Sequence, residues 1–206
     1  MCIRDRQNLR DEIGDGRQWL DRAVVIAYAV LAGLAVVLAT LLADAAFAAY
    51  QSLRSAVWWA PLLWTPALTA LIVWATRRWA PGAAGSGVPQ VLAALAPETP
   101  IGARSRFVSL RLSLAKIAAV AAGLLAGLSM GRQGPSVQIA AGVMLQARRW
   151  LSPASGISTR ELLVAGGAAG IAAAFNTPLG GIVFAIEELS RRLHERSSGL
   201  MLAAIV

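Results

Sequence analysis

Three short stretches hold the residues whose types and spacing could do chemistry. They are GSGVP at residues 85–89, GRQGP at 131–135 and FNTPLGG at 175–181. Each sets a proline just after small or polar residues and just before an apolar run. Proline fits the first turn of a helix, where the N–H it lacks would have no intrahelical partner. Each stretch therefore predicts a helix start. A helix start presents unpaired N–H groups and the positive end of the macrodipole, and glycine lets an ion approach that backbone closely. The combination is an anion site made without a full charge. Arg132 lies inside an apolar stretch, where a charge is expensive; it either caps the loop or acts on the anion directly.

Other chemistries find little support. Cys2 is the single cysteine, so no intramolecular disulfide can form. It sits in MCIRDR, an opening that reads as a scar outside the fold. The single histidine, His194, lies in a charged stretch and reads as solvated. No metal spacing, P-loop or dinucleotide fingerprint is present, and no cofactor or metal is implied. Ser86 as an intramembrane protease nucleophile would need a base at membrane depth, and His194 falls beyond the helix end.

The elements that must position these residues are apolar helices. The chain has 206 residues, 57% of them hydrophobic and 15% charged, with a mean hydropathy of +0.60. That is too apolar for an ordinary soluble domain. Residues 23–43 carry no charge and are long enough to span a hydrocarbon core of about 30 Å. Residues 55–76, 117–130, 134–147 and 162–186 follow as further spanning or half-spanning runs. Strand-like alternation is missing, which disfavours a barrel, so the fold class is an all-α polytopic membrane protein. Two of the helix starts are flanked by apolar sequence on both sides, and irregular backbone at such depth must be buried in protein or line a cavity.

The net charge of +8 is placed rather than spread. Arginines crowd residues 4–22 and return at Arg77 and Arg78, at Arg104, Arg106, Arg111 and Lys116, at Arg148 and Arg149, and at Arg191, Arg192 and Arg196. Residues 44–54 form a poorly basic loop. The positive-inside rule then puts the N-terminus in the cytoplasm and that loop outside. The basic residues flank apolar spans and are not interleaved with aromatics, which argues against nucleic acid as a partner. Trp58, Trp59, Trp64, Trp74 and Trp79 stand near the ends of the second run, as interface anchors do. Residues 1–22 read as a cytoplasmic segment with an interfacial helix over 11–20, and residues 23–206 as the membrane domain. Gly123, Gly127 and Gly131, with Gly166 and Gly170, have the spacing that lets helices pack closely. The last ten residues open a new apolar segment too short to span, so the chain reads as a fragment ending inside a helix.

GSGVP, GRQGPSVQ and AGGAAGIAAAFNTPLGGIVFAIEEL, in that order, resemble the signature segments of the CLC family of chloride channels and chloride/proton antiporters. The resemblance covers the chain from about Trp19 onward. It implies the first half of an inverted-repeat fold of broken, tilted helices, in a bacterial-type protein of the cell's inner membrane that forms homodimers. The expected anion contacts are Ser86, the amides near Gly87 and Val88, and the helix start at Arg132, Gln133 and Gly134. Residue chemistry alone leaves PGAAGSG open as a plain flexible loop.

The family commonly carries glutamate where this chain has Gln133. That carboxylate competes with chloride for the outer site, and its protonation couples proton movement to anion movement. Glutamine cannot ionise and resembles the permanently protonated gate. Glu188 matches the internal proton-transfer glutamate of antiporters, but Glu187–Arg191 and Glu188–Arg192 also have the spacing of ordinary helical ion pairs. The expected function is passive chloride conduction, with a chloride/proton antiporter using another proton route as the alternative. A serine protease is remote, and a purely structural membrane subunit leaves the three helix starts unexplained. Chloride and similar anions, membrane lipid and a second copy of the chain are the expected partners.

Overall fold

The computed structural model describes residues 16–96, 99–152 and 155–189. Cys2, His194, the basic residues at 191, 192 and 196 and the final apolar segment lie outside the described residues. Among those described, every regular element is helical: α1 Gly16–Ala56, α2 Ala60–Trp79, α3 Val88–Leu95, α4 Leu110–Leu125, α5 Gln133–Met144, α6 Thr159–Phe175 and α7 Pro178–Phe184. Short 3-10 turns at Pro81–Ala83, Ile101–Arg106 and Leu145–Arg149 join some of them, and a wide π turn at Ala185–Leu189 extends α7.

Helix α1 shows what solvent this fold expects. It buries Ala32, Val36 and Ala43 along one stripe, while Leu31, Leu34, Leu38, Leu41 and Leu42 stay exposed. Small apolar residues face protein and large ones face outward. That inverts the amphipathic helix of a water-soluble protein and suits a lipid solvent, where close backbone approach drives packing. By length and composition, Trp19–Ala56 and Gly102–Leu125 can each cross a membrane.

The first helix also corrects an expectation. Residues 44–54 are not a loop: α1 continues through them to Ala56, and the turn to α2 is confined to residues 57–59. The stretch is rich in alanine and holds no glycine or proline, so leaving an apolar run is no reason for the helix to end. The described part of the expected interfacial helix, from Gly16, likewise runs unbroken into α1. The extension brings Tyr50 against Gly127, whose φ of +85° closes the turn after α4. Gly127 thus ends a helix and also admits the Tyr50 ring of α1, whereas Gly131 has nothing within 4 Å of where a Cβ would stand.

Helix α5 is the centre of the molecule. Residues 135–142 and Met144 are all buried. At 12 residues it rises about 18 Å, too short to cross a bilayer, so it is a half-length helix surrounded by protein. Its neighbour α6 approaches so closely that a Cβ on Gly166 would stand 2.8 Å from Ala141 Cα, and one on Gly170 would stand 2.5 Å from the Ser136 carbonyl oxygen. Val137 and Ala141 join Val91, Ala94 and Leu95 of α3 and Leu163 and Ile171 of α6 in the main core cluster. Helix α2, by contrast, buries none of its residues, and is tied to α4 by Trp64, whose indole N–H donates to the Leu125 carbonyl at 2.9 Å.

The glycine contact generates a stability prediction. Gly170→Val should destabilise the protein by about 1–3 kcal/mol, because the new side chain meets backbone that cannot yield. Gly33→Ala, where nothing lies within 4 Å, should leave it unchanged or slightly more stable. Thermal unfolding of the two variants in detergent, side by side with the unmodified protein, checks both.

Candidate functional site

The turn that carries Ser86 is shaped by side chains from two other helices. Ala84 leaves the 3-10 turn Pro81–Ala83 in extended conformation, and Gly85 and Gly87 follow with φ of +83° and +117°. Such values suit glycine alone. Lys116 of α4, buried, donates from Nζ to the carbonyls of Ala83 at 2.7 Å and Gly85 at 2.6 Å. Gln138 of α5 donates from Nε2 to the Gly82 carbonyl at 2.9 Å and the Phe107 carbonyl at 2.8 Å. From within α3, Gln90 closes the turn: its Nε2 donates to Ala84, and its Oε1 accepts the Gly87 amide at 2.9 Å.

The carbonyls of Gly82, Ala83, Ala84 and Gly85 are therefore drawn toward side-chain donors, while the Ser86 hydroxyl is not. Ser86 is exposed, and no hydrogen bond involves its Oγ among the described residues. The Gly87 amide already has an acceptor in Gln90, so it is not available to an anion in this conformation. Val88 opens α3, where an N–H has no intrahelical acceptor. Of the two amides expected beside the anion, Val88 is the one left.

Two helix starts 47 residues apart in sequence meet backbone to backbone. A Cβ on Gly87 would stand 2.2 Å from the Gly134 carbonyl oxygen, and one on Gly134 would stand 2.3 Å from the Ser86 carbonyl oxygen. Nothing larger than hydrogen fits at either place. This contact puts Ser86, Gly87 and Val88 next to Gln133 and Gly134. Gln133 is exposed on the first turn of α5.

Arg132 turns elsewhere. Its guanidinium pairs with Asp44 on α1, both partly exposed, and its carbonyl accepts from the Ser136 hydroxyl at 2.7 Å and the Ser136 amide at 3.1 Å. These contacts fasten the start of α5 to the extended end of α1 and offset the arginine charge. Of the two roles open to Arg132, they supply the structural one.

The third helix start folds apart from this contact. Asn176 ends α6 in the left-handed region at φ 53°, and Pro178 opens α7, which packs back on α6 with Gly181 against Ala168 and Ala172. Glu188 lies exposed on the π turn, whose Leu189 packs against Gly167. The arginines four residues on from Glu187 and Glu188 lie outside the described residues.

In sequence, Lys116 stands among the basic residues flanking a span. The structure buries it beneath the Ser86 turn, with 2% of its surface exposed. The signal was its isolation, LSLAKIAAV, where a lone charge between apolar neighbours calls for an internal partner. Gln90 and Gln138 were also overlooked as supports of the turn. Gly134, Gln138 and Gly142 recur every four residues, which puts them on one helix face. That face seats the turn, residue 107 and Ser113.

The sequence model of the family described as voltage gated chloride channel matches residues 68–206. An uncharacterized chloride channel protein of Schizosaccharomyces pombe is 38% identical over 118 residues, covering 54% of this chain and 16% of that protein. The H(+)/Cl(-) exchange transporter ClcA of Cronobacter sakazakii is 35% identical over 138 residues, covering 67% of this chain and 28% of that protein. The protein of the same name from Salmonella arizonae is 37% identical over 134 residues, covering 62% and 27%. The chain thus matches less than a third of the length of each of these relatives.

The lysine clamp predicts a local effect. In Lys116→Met the Ala83 and Gly85 carbonyls lose a charged donor, at a cost of about 1.5–3 kcal/mol for each bond. Amide hydrogen exchange should quicken over residues 84–91 while α6 keeps its protection. Unchanged exchange in the turn would mean that Lys116 does not hold it.

Proposed function

The chain belongs to the CLC family of voltage gated chloride channels, and we propose that it builds part of a chloride path that conducts passively. The single observation that carries this reading is the meeting of two helix starts at Gly87 and Gly134, with a hydroxyl on one side and an uncharged amide on the other. The Ser86 hydroxyl and the unpaired amides of Val88 and of the first turn of α5 would hold the anion. Neutral donors of this kind bind a halide without trapping it. Gln133 would stand as the outer gate. Its amide does not titrate, so it carries no proton inward and places no negative charge in the anion's way.

In this reading residues 23–206 form a membrane domain that provides one of two halves of the path, with the N-terminus in the cytoplasm and a second copy of the protein completing a homodimer. The positive-inside pattern and the family's architecture support those assignments. The protease reading loses support, since Lys116 directs its ammonium at the Ala83 and Gly85 carbonyls and not at Ser86 Oγ.

A coupled exchanger is the second reading, favoured by the names of the bacterial relatives. It would need a titrating group in place of Gln133, with Glu188 on the inner side of the route.

A chloride gradient across proteoliposomes holding the full-length protein, with internal pH recorded, separates the two. Passive conduction predicts chloride flux with little proton counter-movement and shallow pH dependence; stoichiometric uphill proton transport would instead establish the exchanger. Gln133→Glu adds a carboxylate with an ordinary pKa of about 4.3. Ionised at neutral pH, it should compete with chloride and slow the flux several-fold. As pH falls and the carboxylate is protonated, it should come to resemble the native amide and the flux should recover. A second variant tests the anion contact itself. Ser86→Pro removes the hydroxyl, and the family's association of proline here with nitrate preference predicts a higher nitrate/chloride flux ratio. An unchanged ratio removes Ser86 from the anion site.

A further inference from the structure

Gln138 is an odd residue to find where it stands. It has no exposed surface at all and lies among apolar residues of the core helix α5. Methionine or leucine would fill the same space without a polar group to satisfy. The orientation of its amide follows from its neighbours. Both groups within reach on one side are carbonyls, of Gly82 and Phe107, so the NH2 end must face them. The Oε1 atom is then left buried with no donor among the described residues. A buried polar atom without a partner is costly, and such exceptions call for a reason. Packing does not supply one. The two Nε2 bonds do.

Those bonds link three segments. Gly82 belongs to the 3-10 turn that leads into Gly85–Ser86–Gly87, and Phe107 precedes α4, the helix that carries Lys116. Gln138 itself lies one turn beyond Gly134 on the same face of α5. The position of a Cβ on Gly87 is 3.2 Å from Gln138 Cβ and 2.2 Å from the Gly134 oxygen. One face of α5 thus touches the Ser86 turn twice: directly at Gly134, and through the Gln138 amide at Gly82. The same helix begins with Gln133.

We propose that Gln138 is a positioning residue, which fixes the Ser86 hydroxyl relative to the start of α5 by holding the Gly82 and Phe107 carbonyls. The proposal rests on the reading of Ser86 as an anion contact. It adds that the backbone contact at Gly134 is held in register by one side chain, which does not itself touch the anion. The Lys116 clamp holds the turn from α4; among the described residues Gln138 gives the side-chain hydrogen bond that ties it to the helix bearing Gln133, beside the backbone contact at Gly134.

The test is a double-mutant cycle between Gln138 and Ser86, read as chloride affinity by titration calorimetry of the purified protein and as the nitrate/chloride flux ratio in proteoliposomes. Gln138→Met keeps the volume and removes both donors. Gln138→Asn keeps an amide but withdraws it by one methylene, and serves if the methionine variant does not fold. Either should weaken chloride binding about three- to tenfold, the scale of one or two net hydrogen bonds. Either should also shift the flux ratio in the same direction as Ser86→Ala. In the Ser86→Ala background the Gln138 substitution should add little, because its effect passes through the hydroxyl that is gone. Full additivity, or a Gln138 variant that lowers thermal stability without moving affinity or selectivity, overturns the proposal and leaves Ser86 in the anion site. A Ser86→Ala variant that binds chloride normally overturns both the site reading and this inference.

Discussion

The backbone contact between Gly87 and Gly134 is the constraint on which the rest of the structure depends. Two helix starts can touch only where neither residue has a side chain, since an added Cβ on either would overlap a carbonyl of the other segment. Once the contact is made, the chain around it has little freedom. Gly85 and Gly87 must take positive φ, the turn carbonyls must find donors other than each other, and the helices bearing those donors must lie within reach. Lys116, Gln138 and Gln90 meet that demand from α4, α5 and α3 respectively.

The electrostatic consequence is a sorting of donors and acceptors. The carbonyls of Gly82, Ala83, Ala84 and Gly85 all accept bonds from side-chain amides or the lysine ammonium. Carbonyl oxygens left facing the site would repel an anion, and these four are engaged. What remains on the exposed side is a hydroxyl and the first-turn amides of two helices. Two full charges of the described residues here are taken by protein groups: Lys116 by carbonyls, Arg132 by Asp44. In the proposed site an anion would be held by dipoles, which bind weakly enough for release. A strong ion pair with a free arginine would work against passage.

The packing around α5 explains how a short buried helix keeps such a site in register. Each of its faces has an assigned neighbour. Gly134, Gln138 and Gly142 face the Ser86 turn and α4, where Ser113 donates to the Ile139 carbonyl at 3.1 Å. Ser136, Ala140 and Met144 receive Gly166 and Gly170 of α6. Ile139 and Ala140 also join Ala32 and Val36 of α1. In lipid there is little hydrophobic gain from bringing helices together, so close backbone approach and hydrogen bonds between helices have to supply the cohesion. The long α1, with its leucines outward, and α2, with no buried residue, form the periphery of this arrangement.

Much of this was legible in the sequence because it follows from local rules. Apolar runs without alternation require helices in a membrane, and a proline one or two residues after glycine or threonine marks where helices begin, as at Val88, Gln133 and Pro178. The identities of Ser86 and Gln133 also limit the chemistry before any fold is known, since a hydroxyl donates without charge and an amide does not titrate. The end of α1 was misjudged because hydropathy reports where a chain leaves lipid, whereas helix termination depends on capping and breaking residues, and residues 44–56 contain no glycine or proline. Only the tertiary structure decided the partners: that Gly134 meets Gly87, that Lys116 serves the Ser86 turn, that Gln90 occupies the Gly87 amide, and that Arg132 is spent on Asp44. Sequence spacing limits which residues share a helix face. It carries no record of which face of another helix, tens of residues away, will be pressed against it, because that choice is made by the packing of the whole molecule.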